Sequence, residues 1–284
     1  KFAMVTTVSG AAINVVLDPI MIYGLLGCPA MGVAGAAWAT VIGQFVSLIV
    51  IATVYFKKGV GIESNIRYLK PERQTLGSIY SIGLPAIVMQ ILTPIMSYTL
   101  NLILGAISVS AVTAYGVYYK LQNFIFMPGY GLNNASIPII SYNFGARNKQ
   151  RVSQTVRYGL IYVSVIMLIG IALLQLFARQ IVGIFSVTEE SHQLCVLALR
   201  IITCGFFFAG ANIILQGVCQ ALGKGIYSLV ISLLRFIVLV LPMAWALSLT
   251  ENAASLVWLS LPVAEAGACV AAILLTRKIY RKAL

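Results

Sequence analysis

Charged side chains are scarce in this 284-residue sequence. Asp, Glu, Lys and Arg make up 9% of the residues, and only seven residues are acidic, whereas about a quarter of the residues of a soluble domain are charged. The sequence contains a single histidine, His192, so a metal site built from several histidines is excluded. Hydrophobic residues make up 60% of the chain, which is not the composition of a soluble globular domain.

Catalytic and cofactor-binding motifs are missing as well. The sequence has no Walker-type glycine loop, no G-x-S-x-G, no H-E-x-x-H and no second histidine for a catalytic triad. Its five cysteines are scattered without a C-x-x-C pair, and we interpret them as small apolar residues of helices. We therefore expect no enzyme, no metal and no cofactor. The energy for any transport must then come from an ion gradient or from a partner protein.

Long apolar runs occupy most of the chain. Each is long enough to cross a hydrocarbon core about 30 Å thick as a helix of ~20 residues. The runs cover residues 3–26, 33–56, 79–104, 111–140, 158–177, 192–220, 226–248 and 253–276. The sequence therefore predicts an all-α polytopic membrane protein with about eight transmembrane helices.

The loops between these runs alternate in charge. Basic residues concentrate in the segments 57–73, 147–157 and 277–282, and Lys224 lies in a further loop of the same set. The other loops contain Arg179 as their only cation. Because an excess of Lys and Arg marks the cytoplasmic side, both chain ends are predicted to be cytoplasmic. The net charge of +12 then predicts contact with anionic membrane lipid rather than with nucleic acid.

Ionisable residues inside apolar runs are energetically costly and by default indicate function. Five of them stand out, namely Asp18, Lys120, Arg200, Arg235 and Glu265. Arg235 and Glu265 fall near the middle of two consecutive runs joined by a short external turn, so a buried ion pair is predicted. Protonation of the carboxylate could release the cation and thus couple to an ion gradient. The pair could equally be a static lock between two helices.

Asp18 follows Asn14 by one helical turn on the same face and precedes Pro19. It could bind a cation or a proton, or it could cap backbone groups that the proline kink leaves free. In the next run, Gly35 and Ala39 have the small-xxx-small spacing that lets two helix backbones approach closely. We interpret that second feature as a packing face.

The fourth apolar run is the most polar of the set. Lys120 and Asn123 lie in it among several tyrosine and phenylalanine residues. From the third run, Gln90, Tyr98 and Asn101 could contribute from the opposite wall of a cavity. Such a mixture suits an aromatic, cationic, amphiphilic ligand, although bulky helix packing with a few polar contacts fits the same residues.

The hydrophilic stretch 59–78 is the best candidate for a linker between two helical bundles, 1–58 and 79–284. The first two runs resemble the last two in layout at an offset of 223 residues. Internal repeats of this kind are typical of transporters that rock one bundle against another. Because the chain begins at Lys1 and enters an apolar run at once, we expect further residues before it.

Taken together, several motifs resemble those of bacterial MATE (multidrug and toxic compound extrusion) transporters. The similar segments are NVVLDPIMIYG from Asn14, GVAGAAWATVIGQ from Gly32, GLPA from Gly83, KLQNFIFMPGYGLNNASIPIISYNFGARN from Lys120, LRI from Leu199, QGVCQALGK from Gln216 and PVAE from Pro262. They occur in the family's order, and the similarity covers essentially the whole chain.

The resemblance implies a twelve-helix transporter of two six-helix lobes. Residues 1–58 would then be the last two helices of the amino-terminal lobe, and 79–284 the whole carboxyl-terminal lobe. It also implies drug/H⁺ or drug/Na⁺ antiport by alternating access across the bacterial inner membrane. Some members carry acidic ion ligands in their seventh and tenth helices, but here the runs 79–104 and 192–220 contain no Asp or Glu.

We therefore expect a secondary antiporter that exports amphiphilic cationic compounds. The residues expected to bind substrate are Gln90, Tyr98, Asn101, Lys120 and Asn123. Those expected to couple the ion are Asn14, Asp18, Arg235 and Glu265. The expected partners are membrane lipid, the amphiphilic substrate and the remaining amino-terminal helices of the same polypeptide.

The sequence is also compatible with two other functions. A flippase for lipid-linked oligosaccharides, from the same superfamily, would need a strongly cationic cavity, for which only Lys120, Arg200 and Arg235 are available. A membrane-embedded enzyme or a scaffold is the other, and the lack of clustered nucleophiles or paired intramembrane carboxylates argues against an enzyme.

We predict that cysteines introduced at Ser108 and Lys149 react differently with a membrane-impermeant thiol reagent added to intact cells. The charge alternation places position 108 outside and position 149 in the cytoplasm, so only the first should be labelled. The measurement is the labelled fraction of each variant in a background without native cysteines. Labelling at 149 and protection at 108 would reverse the predicted topology.

Overall fold

The computed structural model of the protein describes residues 2–58 and 72–283, and all regular structure in those residues is helical. The α-helices are α1 (Phe2–Tyr23), α2 (Val33–Lys58), α3 (Arg73–Ile107), α4 (Val109–Gly145), α5 (Lys149–Gly183), α6 (Glu189–Thr203), α7 (Phe206–Ala221), α8 (Gly225–Leu233), α9 (Leu241–Ser248), α10 (Ala253–Leu256) and α11 (Ser260–Ala283). Short 3₁₀ turns lie at Leu25–Gly27 and Val257–Leu259, and a π-helical segment, Leu234–Val240, joins α8 to α9. The predicted all-α class is confirmed.

Six helical spans in the described residues are long and apolar enough to cross a membrane. They are Met4–Tyr23, Val33–Lys57, Arg73–Ile107, Lys149–Gly183, Gly225–Ser248 and Ala253–Tyr280. Helices α6 and α7, bent by 49° at a short break, give a seventh span if they are counted together. At 37 residues α4 is long enough for an eighth span, but it is not among the helices that are apolar enough to cross a membrane, so that span stays a prediction.

The chain divides into two compact units, a first unit of Lys1–Pro71 and a second unit of Glu72–Leu284. The division falls within the predicted 59–78 linker, most of which lies outside the described residues. Helix α3 already begins at Arg73, so the last residues of that predicted linker are helical.

In the first unit, α1 and α2 pack closely because the contact face of α2 is made of small residues. Gly35, Ala39 and Gly43 follow each other at four-residue spacing, and all three are buried. A Cβ atom at Gly43 would lie 2.8 Å from the carbonyl oxygen of Gly10, and one at Gly35 would collide with the carbonyl group of Met21. The packing role predicted for Gly35 and Ala39 is therefore confirmed.

Helix α7 is the central element of the second unit and contacts α4, α5 and α11. It is apolar around most of its circumference, which is typical of a helix buried on all sides. The rings of Phe206 and Phe126 pack edge to face with their centroids 4.8 Å apart. Gly217 allows the amide of Asn133 on α4 to lie directly against the α7 backbone, so polar groups of the two helices meet inside the bundle.

The π-helical segment has a local cause in the sequence. Pro242 lies just after it, at the start of α9. Proline has no N–H to donate, and its ring clashes with the carbonyl group four residues earlier in a regular α-helix. The wider π-turn accommodates both defects. Short π-helical stretches often occur at functional sites, and this one contains Arg235.

We predict that Gly35→Ile destabilises the α1–α2 pair by about 2 kcal/mol, since the new side chain must push two backbones apart. Ala37→Ile is the matched control, because Ala37 is exposed on the same helix and its replacement should cost less than about 0.5 kcal/mol. Thermal unfolding of the detergent-solubilised variants is the measurement. Equal melting temperatures for the two variants would contradict close packing at Gly35.

Candidate functional site

Arg235 and Glu265 form an ion pair inside the second unit. Arg235 lies on the π-helical segment, and Glu265 lies on α11. The Arg235 Nε atom donates to Glu265 Oε1 at 2.6 Å, and Arg235 Nη2 contacts the same oxygen. The two side chains are only 6% and 14% exposed. The ion pair between Arg235 and Glu265, which was predicted from their equal depth on consecutive spans, is therefore present. It joins the π-helical segment to α11.

Asn212 on α7 completes this cluster. Its side chain is fully buried, and its Nδ2 atom donates to Glu265 Oε2 at 3.0 Å and to the Glu265 carbonyl oxygen at 3.1 Å. Both partners are acceptors, which fixes the orientation of the amide. The two carboxylate oxygens thus have different donors, a guanidinium on one and an amide on the other. We call Asn212, Arg235 and Glu265 the charged cluster.

A row of amides continues along α7 from the charged cluster. Asn212, Gln216 and Gln220 recur every four residues and therefore share one face of the helix. Gln216 is held from α8, where Ser228 Oγ donates to its carbonyl oxygen at 2.7 Å and Ser232 Oγ donates to its Oε1 at 3.1 Å. This row was not predicted from the sequence, although amides at four-residue spacing in an otherwise apolar helix are a recognisable pattern.

A cavity of about 60 Å³ lies on one side of the charged cluster. We call it the aromatic cavity; its lining residues are Thr93, Met96, Tyr115, Tyr118, Tyr119, Gln122, Asn123, Phe126, Tyr130, Arg235, Phe236, Val240, Leu261 and Glu265. The guanidinium of Arg235 stacks over the Phe236 ring at 4.6 Å from its centroid. The ring faces give this cavity an affinity for positive charge, while the charges of Arg235 and Glu265 in its lining offset each other.

A second cavity of about 240 Å³ shares part of this wall. We call it the amide cavity; its lining residues are Ala86, Met89, Gln90, Thr93, Tyr130, Asn133, Asn134, Ile213, Gln216, Gln220, Ser232, Arg235 and Phe236. No carboxylate is among them. Arg235 lines both cavities, so it is shared by an aromatic cavity that contains Glu265 and by a cavity whose other polar side chains are uncharged.

Two of the five predicted substrate-binding residues line these cavities. Gln90 lines the amide cavity, and Asn123 lines the aromatic cavity. The Asn123 Nδ2 atom also donates to the carbonyl oxygen of Tyr119 at 2.8 Å, so its amide is partly engaged within α4.

The structure does not bring the other three, Tyr98, Asn101 and Lys120, to either cavity. Tyr98 is 68% exposed, and Asn101 donates to the carbonyl oxygen one turn earlier in its own helix. Lys120 Nζ lies 5.8 Å from the centroid of the Phe185 ring instead. For Lys120 the physical reason is helical periodicity. The α4 residues that line the two cavities lie on one face of the helix, and position 120 is not on that face.

The predicted pair of Asn14 and Asp18 lies in the first unit. Asn14 Nδ2 is 3.4 Å from Asp18 Oδ1 and 3.4 Å from Thr40 Oγ1 on α2. The two side chains therefore share a helix face, as predicted, and Thr40 adds a polar group from the neighbouring helix. In the part of the chain that the structure describes, no three His, Cys, Asp or Glu residues are grouped to hold a metal ion.

Sequence comparison relates the chain to membrane exporters. The family model named MatE matches residues 85–246. The "Multidrug export protein MepA" of Staphylococcus aureus (strain MSSA476) is 26% identical over 273 residues, which are 96% of this chain and 59% of that protein. The protein of the same name from Staphylococcus haemolyticus (strain JCSC1435) is 26% identical over 263 residues, 93% of this chain and 57% of that one. The chain thus spans less than two thirds of these relatives.

Comparison of structures gives the same fold. An outward-facing multidrug resistance MATE family transporter of the MOP superfamily matches with a TM-score of 0.90 at 24% identity, covering 99% of this chain and 62% of that one. A MOP superfamily transporter from Pyrococcus furiosus, described as having a binding pocket of reverse polarity, matches with a TM-score of 0.89 at 23% identity and the same coverage. At this identity the likeness concerns the fold alone.

We predict that Arg235→Met or Glu265→Gln alone destabilises the protein by about 3–5 kcal/mol, because each leaves a buried polar or charged partner without compensation. The double variant should recover much of that loss, since no isolated charge remains. Arg200→Met is the control, because Arg200 is exposed and its replacement should change little. Melting temperatures in detergent test the cycle, and strictly additive effects would show that the two side chains do not interact.

Proposed function

Because the chain belongs to the MatE family, we propose that it works in a secondary antiporter that exports amphiphilic cations in exchange for H⁺ or Na⁺. The family was expected from its motifs, and that expectation is confirmed. It is a multi-pass membrane protein, and its relatives named multidrug export proteins support the transport role. Since it spans about three-fifths of their length, the activity, the substrates and the remaining amino-terminal helices are all part of the proposal.

The observation that carries this proposal is the carboxylate of Glu265 facing an aromatic cavity. Tyr118, Phe126 and Tyr130 line that cavity beside it, and the Phe126 and Tyr130 rings pack edge to face at 6.3 Å. Ring faces attract organic cations, and the attraction grows when the cation is desolvated. An amphiphile with an aromatic or aliphatic body and a positive charge matches both features.

The charged cluster offers a physical route to ion coupling. Glu265 holds donors from two other elements, Arg235 on the π-helical segment and Asn212 on α7. Protonation of the carboxylate would remove the charge that stabilises the buried guanidinium. The side-chain contacts that join α7, α11 and the π-helical segment would then weaken together. A bundle that alternates between two arrangements requires contacts of this kind.

We also propose Asp18 and Asn14 as ion-coupling residues of the first unit. A partly buried carboxylate with an amide and a hydroxyl nearby is suited to bind a proton or a cation. For location we propose the bacterial inner membrane, with both ends of these residues in the cytoplasm and anionic lipid around them.

The lining of the two cavities favours export of cations over flipping of a pyrophosphate lipid. Arg235 is the one cation among the residues that line them, and it is already paired with Glu265. Lys120 and Arg200, the other candidates within the apolar runs, do not line either cavity. The strongly cationic surface that a pyrophosphate would need is therefore missing from these two cavities.

We predict that an aromatic cation loaded into proteoliposomes of the full-length polypeptide drives a counter-flux of H⁺ or Na⁺. Glu265→Gln should lower this coupled flux by about tenfold or more, since a charged hydrogen-bond partner contributes about 1.5–3 kcal/mol. Asp18→Asn should lower it as well if the first unit takes part in coupling.

The control for this experiment is Glu251→Gln, because Glu251 is exposed in the turn before α10 and its replacement should leave the flux as it is. Flux is followed with a pH-sensitive dye inside the vesicles and with ²²Na⁺ uptake. Unchanged coupling in both Glu265→Gln and Asp18→Asn would refute the assignment of the ion-coupling residues, and the absence of any drug-driven flux would refute the antiport.

A further inference from the structure

We propose that the second unit couples transport to H⁺ and excludes Na⁺, because the guanidinium of Arg235 already occupies the cation-binding side of Glu265. This inference rests on the antiport proposed above and names the ion at the same site. It follows from how the oxygens of Glu265 are engaged and from which other groups face them.

Both oxygens of Glu265 are engaged by protein donors. Oε1 accepts from Arg235 Nε at 2.6 Å and contacts Nη2, and Oε2 accepts from Asn212 Nδ2 at 3.0 Å. The guanidinium therefore acts as a tethered cation at the position where a free cation would sit. Sodium could reach this carboxylate only by displacing Arg235, and the released positive charge would still lie nearby.

The electrostatic cost of that exchange decides against Na⁺. Two like unit charges about 4 Å apart repel by an amount that lowers affinity by about a thousandfold at an effective dielectric constant of about 20. A hard cation also needs several oxygen ligands at once, yet Glu265 is the only carboxylate among the residues lining the two cavities. The titratable groups around Glu265 are Arg235, Tyr118 and Tyr130, which line the aromatic cavity, and Cys269, which lies on the same helix as Glu265.

A proton has no such requirement. It needs one lone pair on one carboxylate oxygen, where an O–H bond forms and the carboxyl group becomes neutral. Arg235 keeps its charge and then needs new acceptors. The amide cavity offers them, since the amide side chains of Gln90, Asn133 and Asn134 belong to residues that line it together with Arg235. Neutral acceptors of this kind can hold a guanidinium without competing for the proton.

Exchange of a proton for a cationic substrate follows from the charge of this site. With Glu265 ionised, the pair with Arg235 is neutral overall, so the ring faces of the aromatic cavity can hold a cationic amphiphile without net repulsion and without displacing Arg235 from the carboxylate. With Glu265 protonated, the site carries one positive charge and repels the same amphiphile. Proton and substrate thus weaken each other's binding to the same extent, as linkage requires, and this mutual exclusion is what antiport needs.

The first experiment separates the two ions. Proteoliposomes of the full-length polypeptide are loaded with ethidium, an aromatic cation, and export is driven either by a pH gradient in sodium-free choline buffer or by a Na⁺ gradient at equal pH. We expect export in the pH gradient to be at least about tenfold faster, well within the discrimination estimated from charge repulsion. Glu265→Gln should abolish that difference, and Glu251→Gln should keep it.

The second experiment exposes the carboxylate. In Arg235→Met the tethered cation is gone, so Na⁺ can approach Glu265 and should raise the melting temperature of the variant in detergent relative to the same concentration of choline. The wild type, Arg235→Lys and the Arg235→Met/Glu265→Gln double variant should show no such Na⁺ effect. If Arg235→Met folds poorly, Arg235→Gln removes the same charge while keeping a polar side chain, and the same Na⁺ effect is expected of it.

The outcomes distinguish this inference from the function on which it rests. A Na⁺ gradient that alone drives export as fast as the pH gradient overturns the inference and leaves the antiport standing. Na⁺-dependent stabilisation of the wild type that disappears in Glu265→Gln overturns it too. If neither gradient drives export, the proposed antiport itself fails.

Discussion

A buried ion pair places the strictest constraint on this structure. Moving a carboxylate and a guanidinium away from water costs several kcal/mol per ion even after relaxation, so the surroundings must supply compensating contacts. Arg235 compensates one oxygen of Glu265 and Asn212 the other. Because these three side chains come from the π-helical segment, α11 and α7, the requirement to satisfy one carboxylate fixes how three elements meet.

The two cavities are arranged around that pair. Rings such as Phe126 and Tyr130 line one cavity together with Glu265, and amides such as Gln90 and Asn133 line the other together with Arg235. A ring face attracts positive charge without neutralising it, and an amide offers an acceptor without adding a charge. Glu265 is thus the one carboxylate among the residues that line the two cavities, and it stands between the ring faces and Arg235.

The sequence was most informative where periodicity and depth apply. Equal depth on consecutive spans correctly paired Arg235 with Glu265, and the spacing of Gly35 and Ala39 correctly gave a close helix contact. The sequence was least informative about how each helix is rotated about its own axis, because a helix with polar residues on several faces does not reveal which face is internal. Lys120 was assigned to the cavity on that account, whereas its ammonium group lies by the Phe185 ring.

Other features lay beyond sequence reasoning for a different reason. Asn212 joins Glu265 from a helix that is not its neighbour in sequence, 53 residues away, and depth alone cannot choose among several helices at one level. The π-helical segment depends on how the chain resolves the missing donor of Pro242, for which a kink, a widened turn or an ordered water are all physically available. Only the packed structure determines which of these is used.

The ion pair is hard to explain as a device for stability. Replacing a buried ion pair by well-packed apolar side chains of similar volume is often neutral, or stabilising by about 1–4 kcal/mol, so the presence of such a pair is weak evidence of a gain in stability. The same elements already pack through apolar contacts, for example between Gly267 on α11 and Leu239 of the π-helical segment. The proposed function accounts for the charged cluster instead, because it needs a carboxylate whose charge can change where the two cavities share part of their lining.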